Sequence, residues 1–149
     1  MKTNGLAKSP LLAACAGLLA SCGAEPAGVL PGDSGDTRPY AGVSENEAIH
    51  LTGTEPFWGG DVVGGTFSYS TPENIDGTPI AVSRFAGRGG VSFSGELDGR
   101  SVDLAVTPGE CSDGMSDRTY PFVATLKLGE ETRNGCAWTD AQMYEGGPA

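Results

Sequence analysis

From Glu47 onward, apolar and polar residues alternate along the chain with a period of two. Ile49 and Leu51 flank His50, and Phe67 and Tyr69 flank Ser68. Val102, Leu104 and Val106 alternate with Ser101, Asp103 and Ala105, and Phe122, Ala124, Leu126 and Leu128 alternate with Val123, Thr125 and Lys127. A period of two predicts strands with one buried and one wet face. The clearest hairpin is VSFSGELDGRSVDLAV, whose Asp98-Gly99 pair suits a type I′ turn with positive φ at both central residues. A two-residue loop there sets Phe93 opposite Leu104, Gly95 opposite Val102 and Val91 opposite Val106, all on one face. Turn chemistry and apolar pattern therefore agree. Further strands are predicted over 47–52, 56–63, 66–71, 79–86 and 131–138. The expected fold is all-β, a small antiparallel barrel or sandwich of about eight strands. Thr139-Asp140-Ala141-Gln142 has capping-box spacing and predicts a short C-terminal helical turn. The domain is expected over 46–141, with 142–149 as a flexible tail.

The first 45 residues follow another pattern. Lys2 and Lys8 precede LLAACAGLLA, Leu11 to Ala20, an uncharged and mostly apolar run. A membrane-spanning helix needs about 20 such residues. A basic start, a short apolar middle and small residues at the end instead predict a secretory signal over 1–21. Leu19-Ala20-Ser21-Cys22 resembles a bacterial lipobox, in which the cysteine thiol takes up diacylglycerol and the chain is cut just before it. Cys22 is therefore the expected lipidation site, and the membrane is the expected partner through that lipid. Residues 22–45 are rich in Gly, Pro, Ala and Asp without apolar periodicity, and read as a flexible tether. A chain of that length has an end-to-end distance of roughly 25 Å. Gly23 does not resemble the aspartate that retains lipoproteins in the inner membrane, which favours the outer membrane, facing the periplasm.

Charge narrows the partners. The chain carries 19 acidic and 9 basic residues, a formal net of −10. Lys2 and Lys8 precede Cys22 and no acidic residue does, so cleavage there would take the net charge to −12. Such a surface repels phosphate backbones, which argues against nucleic acid, and it disfavours adhesion to anionic headgroups. With Cys22 acylated and Cys15 removed with the signal, Cys111 and Cys136 remain in an oxidising compartment and are expected to pair. They close a loop of 25 positions, for which the chain-entropy model gives about 3.5 kcal/mol. A zinc site would need about four ligands, and the chain has one histidine, His50.

Two segments carry a family resemblance. TGTEPFW (Thr52 to Trp58) and CSDGMSDRTYPF (Cys111 to Phe122), followed by GCA (Gly135 to Ala137), resemble a group of proteobacterial lipoproteins and predicted membrane proteins without an assigned activity. The resemblance covers roughly residues 47–138. More distantly, a disulfide-closed β-domain on a lipobox tether is similar to the membrane-bound inhibitors of c-type lysozyme, which implies inhibition of a cell-wall hydrolase as an alternative function. The Ser- and Lys-bearing inhibitory loop of those proteins has no counterpart here.

Few residues offer chemistry. Nucleophilic catalysis needs a base beside a Ser or Cys, and His50 is expected on the wet face of its strand. Glu110, Asp113 and Asp117 surround Gly114 without EF-hand spacing, and Asp/Ser/Gly runs are ordinary turn chemistry. No catalytic residue, metal or cofactor is expected. Glu55-Pro56-Phe57-Trp58 places two large aromatics on opposite faces of one strand; packing would send one ring into the core and leave the other over the barrel end, whereas a binding role would make Trp58 or Phe57 an anchor. The expected partner contacts are Phe57, Trp58, Ser112, Asp113, Met115 and Asp117, with an envelope protein or a peptidoglycan-related ligand as partner.

Overall fold

A computed structural model of the chain describes residues 37–147. The signal and lipobox, Cys22 included, lie outside the described residues, as does the tether up to residue 36. The described residues form eight strands in chain order: β1 (Ile49–Gly53), β2 (Gly59–Val63), β3 (Thr66–Thr71), β4 (Asn74–Ala86), β5 (Val91–Leu97), β6 (Arg100–Cys111), β7 (Tyr120–Leu128) and β8 (Glu131–Thr139). Every strand pairs antiparallel with the next, and β1 pairs with β8 through Ile49↔Thr139, Leu51↔Ala137 and Gly53↔Gly135. That last pairing closes the sheet and decides between barrel and sandwich: the fold is a closed up-and-down barrel. Closure removes the exposed sheet edges that would otherwise template aggregation.

The register follows the period of two. Phe93 faces Leu104, Gly95 faces Val102 and Val91 faces Val106, as the turn predicts, with Asp98 at φ 50° and Gly99 at φ 76°. The inner faces supply one core that includes Ile49, Leu51, Phe67, Ile80, Leu104, Phe122 and Leu126. Two strand predictions need correction. The strand expected over 56–63 starts only at Gly59, because Glu55–Pro56 is cis and 54–58 forms the β1–β2 loop. The strand expected over 79–86 starts at Asn74, since β4 continues beyond the bulge between Tyr69 and Thr71.

The two barrel ends are closed differently. At the end bearing the β4–β5 loop, residues 40–43 fold in as a plug. Val43 is buried, Tyr40 packs on the core, the Tyr40 amide donates to Gly87 O at 2.7 Å, and Arg84 Nη2 donates to Val43 O at 2.8 Å. The boundary expected at 45/46 therefore moves back to about Tyr40, because an apolar barrel end has to be covered and these residues cover it.

At the opposite end, Trp58 is the plug. Its ring is 4 % exposed, lies against Tyr69, and donates from Nε1 to Asn134 O at 3.0 Å. Two glycines make room for it: a Cβ on Gly53 would stand 2.1 Å from Trp58 Cδ1, and one on Gly135 would stand 3.1 Å from Trp58 Cζ2.

The C-terminus departs from expectation as well. The capping bond forms, with Gln142 N donating to Thr139 Oγ1 at 3.0 Å, but reciprocal bonds between Thr139 and Gln142 close a tight bend and no helix follows. The chain then turns back at once, and Glu145 bridges to Thr119 through two 2.8 Å bonds. So short a segment cannot repay helix nucleation. Residues 142–147 are thus fastened to the barrel wall where a loose tail was expected.

Candidate functional site

The outer face of β8 carries a second packed layer. Cys136 pairs with Thr52 and Trp138 with His50, on the face opposite to inward-facing Gly135 and Ala137. After the bulge between Pro108 and Cys111, β6 swings across this face, and Cys111 forms a disulfide with Cys136 at a Cα separation of 5.6 Å. The β6–β7 loop and the C-terminal segment cover the remainder. Trp138 lies 5.4 Å from Tyr120, 5.6 Å from Tyr144 and 5.3 Å from the stacked His50 ring, while Arg118 sits over Tyr144 at 4.3 Å. Offset and edge-on aromatic contacts of this kind add to simple area burial.

Asp113 organises the loop. It is 8 % exposed; Oδ1 accepts from the amides of Ser116 and Met115 at 2.8 and 2.9 Å, and Oδ2 accepts from Ser116 Oγ at 2.8 Å and Tyr120 OH at 3.0 Å. These donors, led by the two amides, hold its carboxyl far below the usual carboxylate range. An acid so occupied has no lone pair left for a partner, so Asp113 positions the loop rather than contacting anything outside it. Among the described residues, no three His, Cys, Asp or Glu side chains converge as a metal centre would need.

His50 ties the layer to the neighbouring strands. Its Nδ1 lies 2.5 Å from Asp61 Oδ1 and its Nε2 lies 3.3 Å from Asp140 Oδ1. Two carboxylates, one at each ring nitrogen, call for two N–H donors, which is the imidazolium. Burial opposes that charge, but the hydrogen bonds and charges of Asp61 and Asp140 outweigh burial and raise the pKa above its ordinary 6.5. A raised folded pKa stabilises the fold fully below the unfolded value and loses that contribution as pH climbs through the folded value. The melting-temperature advantage of wild type over His50→Gln is therefore expected to be largest below about pH 6 and to shrink as pH rises above the ordinary histidine value. An advantage that grows with that rise in thermal melts would refute the assignment.

The Trp58 end offers open concave surface. Burial of Trp58 turns its neighbour outward, and Phe57 stands 43 % exposed. Three concavities meet at Phe57. The largest, about 920 Å³, is the barrel mouth, bounded by Glu55, Pro56 and Phe57 of the β1–β2 loop, Thr71, Pro72 and Glu73 by the β3–β4 turn, and Tyr69, Arg100, Leu128 and Arg133. A second, about 270 Å³, runs from Phe57 past Ser70 and Pro72 to Ile75. The third, about 250 Å³, separates Thr54, Glu55 and Phe57 from Asp113, Gly114 and Met115. The TGTEPFW and CSDGMSDRTYPF segments, distant in sequence, therefore face one another across a groove.

Of the six residues expected at a contact surface, Phe57 and Met115, the latter 65 % exposed, flank this groove as accessible apolar groups. Trp58 is a correction: it is core, held by Tyr69, Gly53 and Asn134. Asp113 borders the groove but is committed inward. Ser112 and Asp117 are exposed outside the groove's lining, and Ser112 Oγ accepts from the Gly114 amide at 3.1 Å.

The mouth residues Arg100 and Arg133 belong to no motif and Tyr69 reads only as a strand residue, though the sequence carries a signal for all three. Each has the parity of the inward face of its strand: Tyr69 with Phe67, Arg100 with Val102 and Arg133 with Gly135 and Ala137. An arginine in register with a core face is a departure from pattern that marks the rim of a barrel. Arg133 donates through Nε and Nη2 to Glu131 Oε1, each at 2.9 Å, and through Nη1 to the Tyr69 hydroxyl. Burial pushes the Tyr69 pKa up despite the guanidinium groups of Arg133 and Arg100, so the phenol keeps its proton while accepting from Arg133.

No protein-family model, curated protein or solved structure matches the chain.

Proposed function

We propose that the chain is a lipid-anchored cell-envelope protein, held by an acyl anchor on Cys22 at the outer membrane and facing the periplasm, whose barrel binds an envelope protein or a peptidoglycan-related ligand without catalysis. The observation that carries the binding role is the exposure of Phe57 where three concavities meet, on a loop fixed from below by Trp58. Exposed aromatics on rigid supports are the usual anchors of contact surfaces. Two further facts support the reading. The described chain enters at the Tyr40 plug, so a tether from Cys22 would meet the barrel at the end opposite Phe57. The TGTEPFW and CSDGMSDRTYPF segments, which resemble those of proteobacterial lipoproteins, border one groove.

Site-specific photo-crosslinking in intact cells tests both halves. A photo-reactive residue at position 57 is expected to give a discrete adduct, and the same residue at Phe85, exposed on the barrel wall, is expected to give none. Adducts that dissolve on muramidase treatment would identify peptidoglycan, and adducts that persist would identify protein. Phe57→Ala should leave stability within about 0.5 kcal/mol, as an exposed site permits. Cys22→Ala should release the protein from the membrane fraction or stall its processing, since stable anchoring needs more than one lipid signal and the acidic surface supplies none. Equal adducts at positions 57 and 85 would overturn the binding site. Full membrane retention of correctly cleaved Cys22→Ala protein would overturn the anchor.

A further inference from the structure

The barrel mouth is polarised in a way its own fold does not use. Going round the rim, Glu55 sits on the β1–β2 loop and Glu73 at the β3–β4 turn, while Arg100 and Arg133 come from β6 and β8 on the other side. The charge of Arg133 is already answered by Glu131. Glu55, Glu73 and Arg100 take part in no ion pair among the described residues. Two acids and one base thus stand unneutralised on opposite arcs of a cavity of about 920 Å³, which Phe57 and Tyr69 also line.

That arrangement selects on charge. A purely anionic ligand placed against Arg100 would also meet Glu55 and Glu73, and a purely cationic one would meet Arg100. A molecule carrying one charge of each sign, spaced to reach both arcs, is favoured over either. An extended tripeptide is about 10 Å long, and the cavity is of the size that encloses small ligands.

We infer that the mouth binds short unblocked peptides as zwitterions, an inference that rests on the Phe57-end binding role and names its ligand class. The C-terminal carboxylate lies on Arg100, whose planar fork suits a carboxylate, and takes a further hydrogen bond from the Tyr69 hydroxyl. The ammonium lies between Glu55 and Glu73. An apolar side chain of the peptide covers Phe57.

The test is calorimetric titration of the full-length protein with Ala-Ala-Phe in three forms: free, N-acetylated and C-amidated. Each block is expected to weaken binding by about tenfold or more. Arg100→Gln should weaken the free peptide and abolish discrimination against the amide while keeping discrimination against the acetyl form. The paired Glu55→Gln, Glu73→Gln variant should do the converse. All three positions are exposed, so the variants are expected to fold, and thermal melts confirm it. Equal affinity for free and blocked peptides, no saturable binding of any form, or discrimination that survives in the variants would each overturn the inference. If peptide binding fails while position 57 still gives its adduct in cells, the ligand class falls and the binding role stands. If position 57 gives no adduct either, both fall.

Discussion

Trp58→Ala is expected to cost about 3–5 kcal/mol of stability, the range for removing a buried aromatic, and to lower the melting temperature by on the order of 15 °C. Three structural facts set the size of the effect. The indole is 4 % exposed, it fills space that Gly53 and Gly135 leave open by lacking a Cβ, and it lies at the last inner layer of the barrel beside Tyr69. Neighbouring side chains cannot collapse into the gap, because the strands around it are locked by the β1–β8 pairing. Trp58→Phe should be much milder. Asn134 O would lose the indole donor but keep the Thr54 amide at 3.0 Å and the Thr54 hydroxyl at 3.2 Å, so no buried acceptor is orphaned. Urea and thermal unfolding measure both variants. In a Trp138→Phe background, Trp58 emission should be blue-shifted and weakly quenched by acrylamide. A loss below about 1 kcal/mol for Trp58→Ala, less than cavity creation in a core causes, would remove Trp58 from the core.

This result bears on function through the neighbouring residue. Trp58 pins the loop that presents Phe57, with Gly53 N donating to Trp58 O at 2.6 Å across its base. A Trp58 variant that lost binding would therefore say nothing about contact, whereas Phe57→Ala separates the two roles.

How far the chain announces this arrangement differs from element to element. The β5–β6 hairpin is fully legible, because a two-residue turn with Asp-Gly leaves a single register and the alternating residues agree with it. β3 is found at its observed bounds for the same reason: Phe67 and Tyr69 alternate with polar neighbours between glycine-rich and proline-bearing turns. What was illegible is what long-range docking decides. Residues 40–43 have no periodicity of their own and enter the fold only because a barrel end needs covering. Tyr144 reads as tail until Trp138 and Tyr120 are placed beside it. The Phe57–Trp58 pair was readable as one ring in and one ring out, but assigning them required the glycines opposite, which come from β1 and β8. The mouth is illegible in the sequence because its arginines belong to no motif. They become a site only when four inter-strand connections are brought round one rim.

Replacing both Cys111 and Cys136 by serine is expected to cost about 2–5 kcal/mol, with the chain-entropy value for the 25-residue separation, about 3.5 kcal/mol, inside that range. Where the loss appears follows from the topology. The bridge does not cross the barrel interior; it ties the end of β6 to the outer face of β8, above the Trp138, Tyr120 and Tyr144 layer. Freed of it, β6 remains paired with β7 up to the bulge after Pro108, so the far-ultraviolet circular dichroism of the barrel should persist at 25 °C. The 112–119 loop should open first, since beyond the bridge it is fastened by the Tyr120–Asp113 hydrogen bond, the Thr119–Glu145 pairing and Arg118 over Tyr144. Limited proteolysis should then cut within 112–119, and Trp138 emission should shift to the red while Trp58 emission holds. Thiol labelling of the denatured, unreduced wild type should find neither cysteine. Unchanged melting together with an uncut loop would show that the outer layer holds itself without the bridge. The same variant separates the two sides of the Phe57 groove: the Met115 side is released with the loop, while Phe57 stays pinned by Trp58. A cross-link from position 57 that survives loss of the bridge places the partner on the mouth, and one that disappears places it in the groove between the two loops.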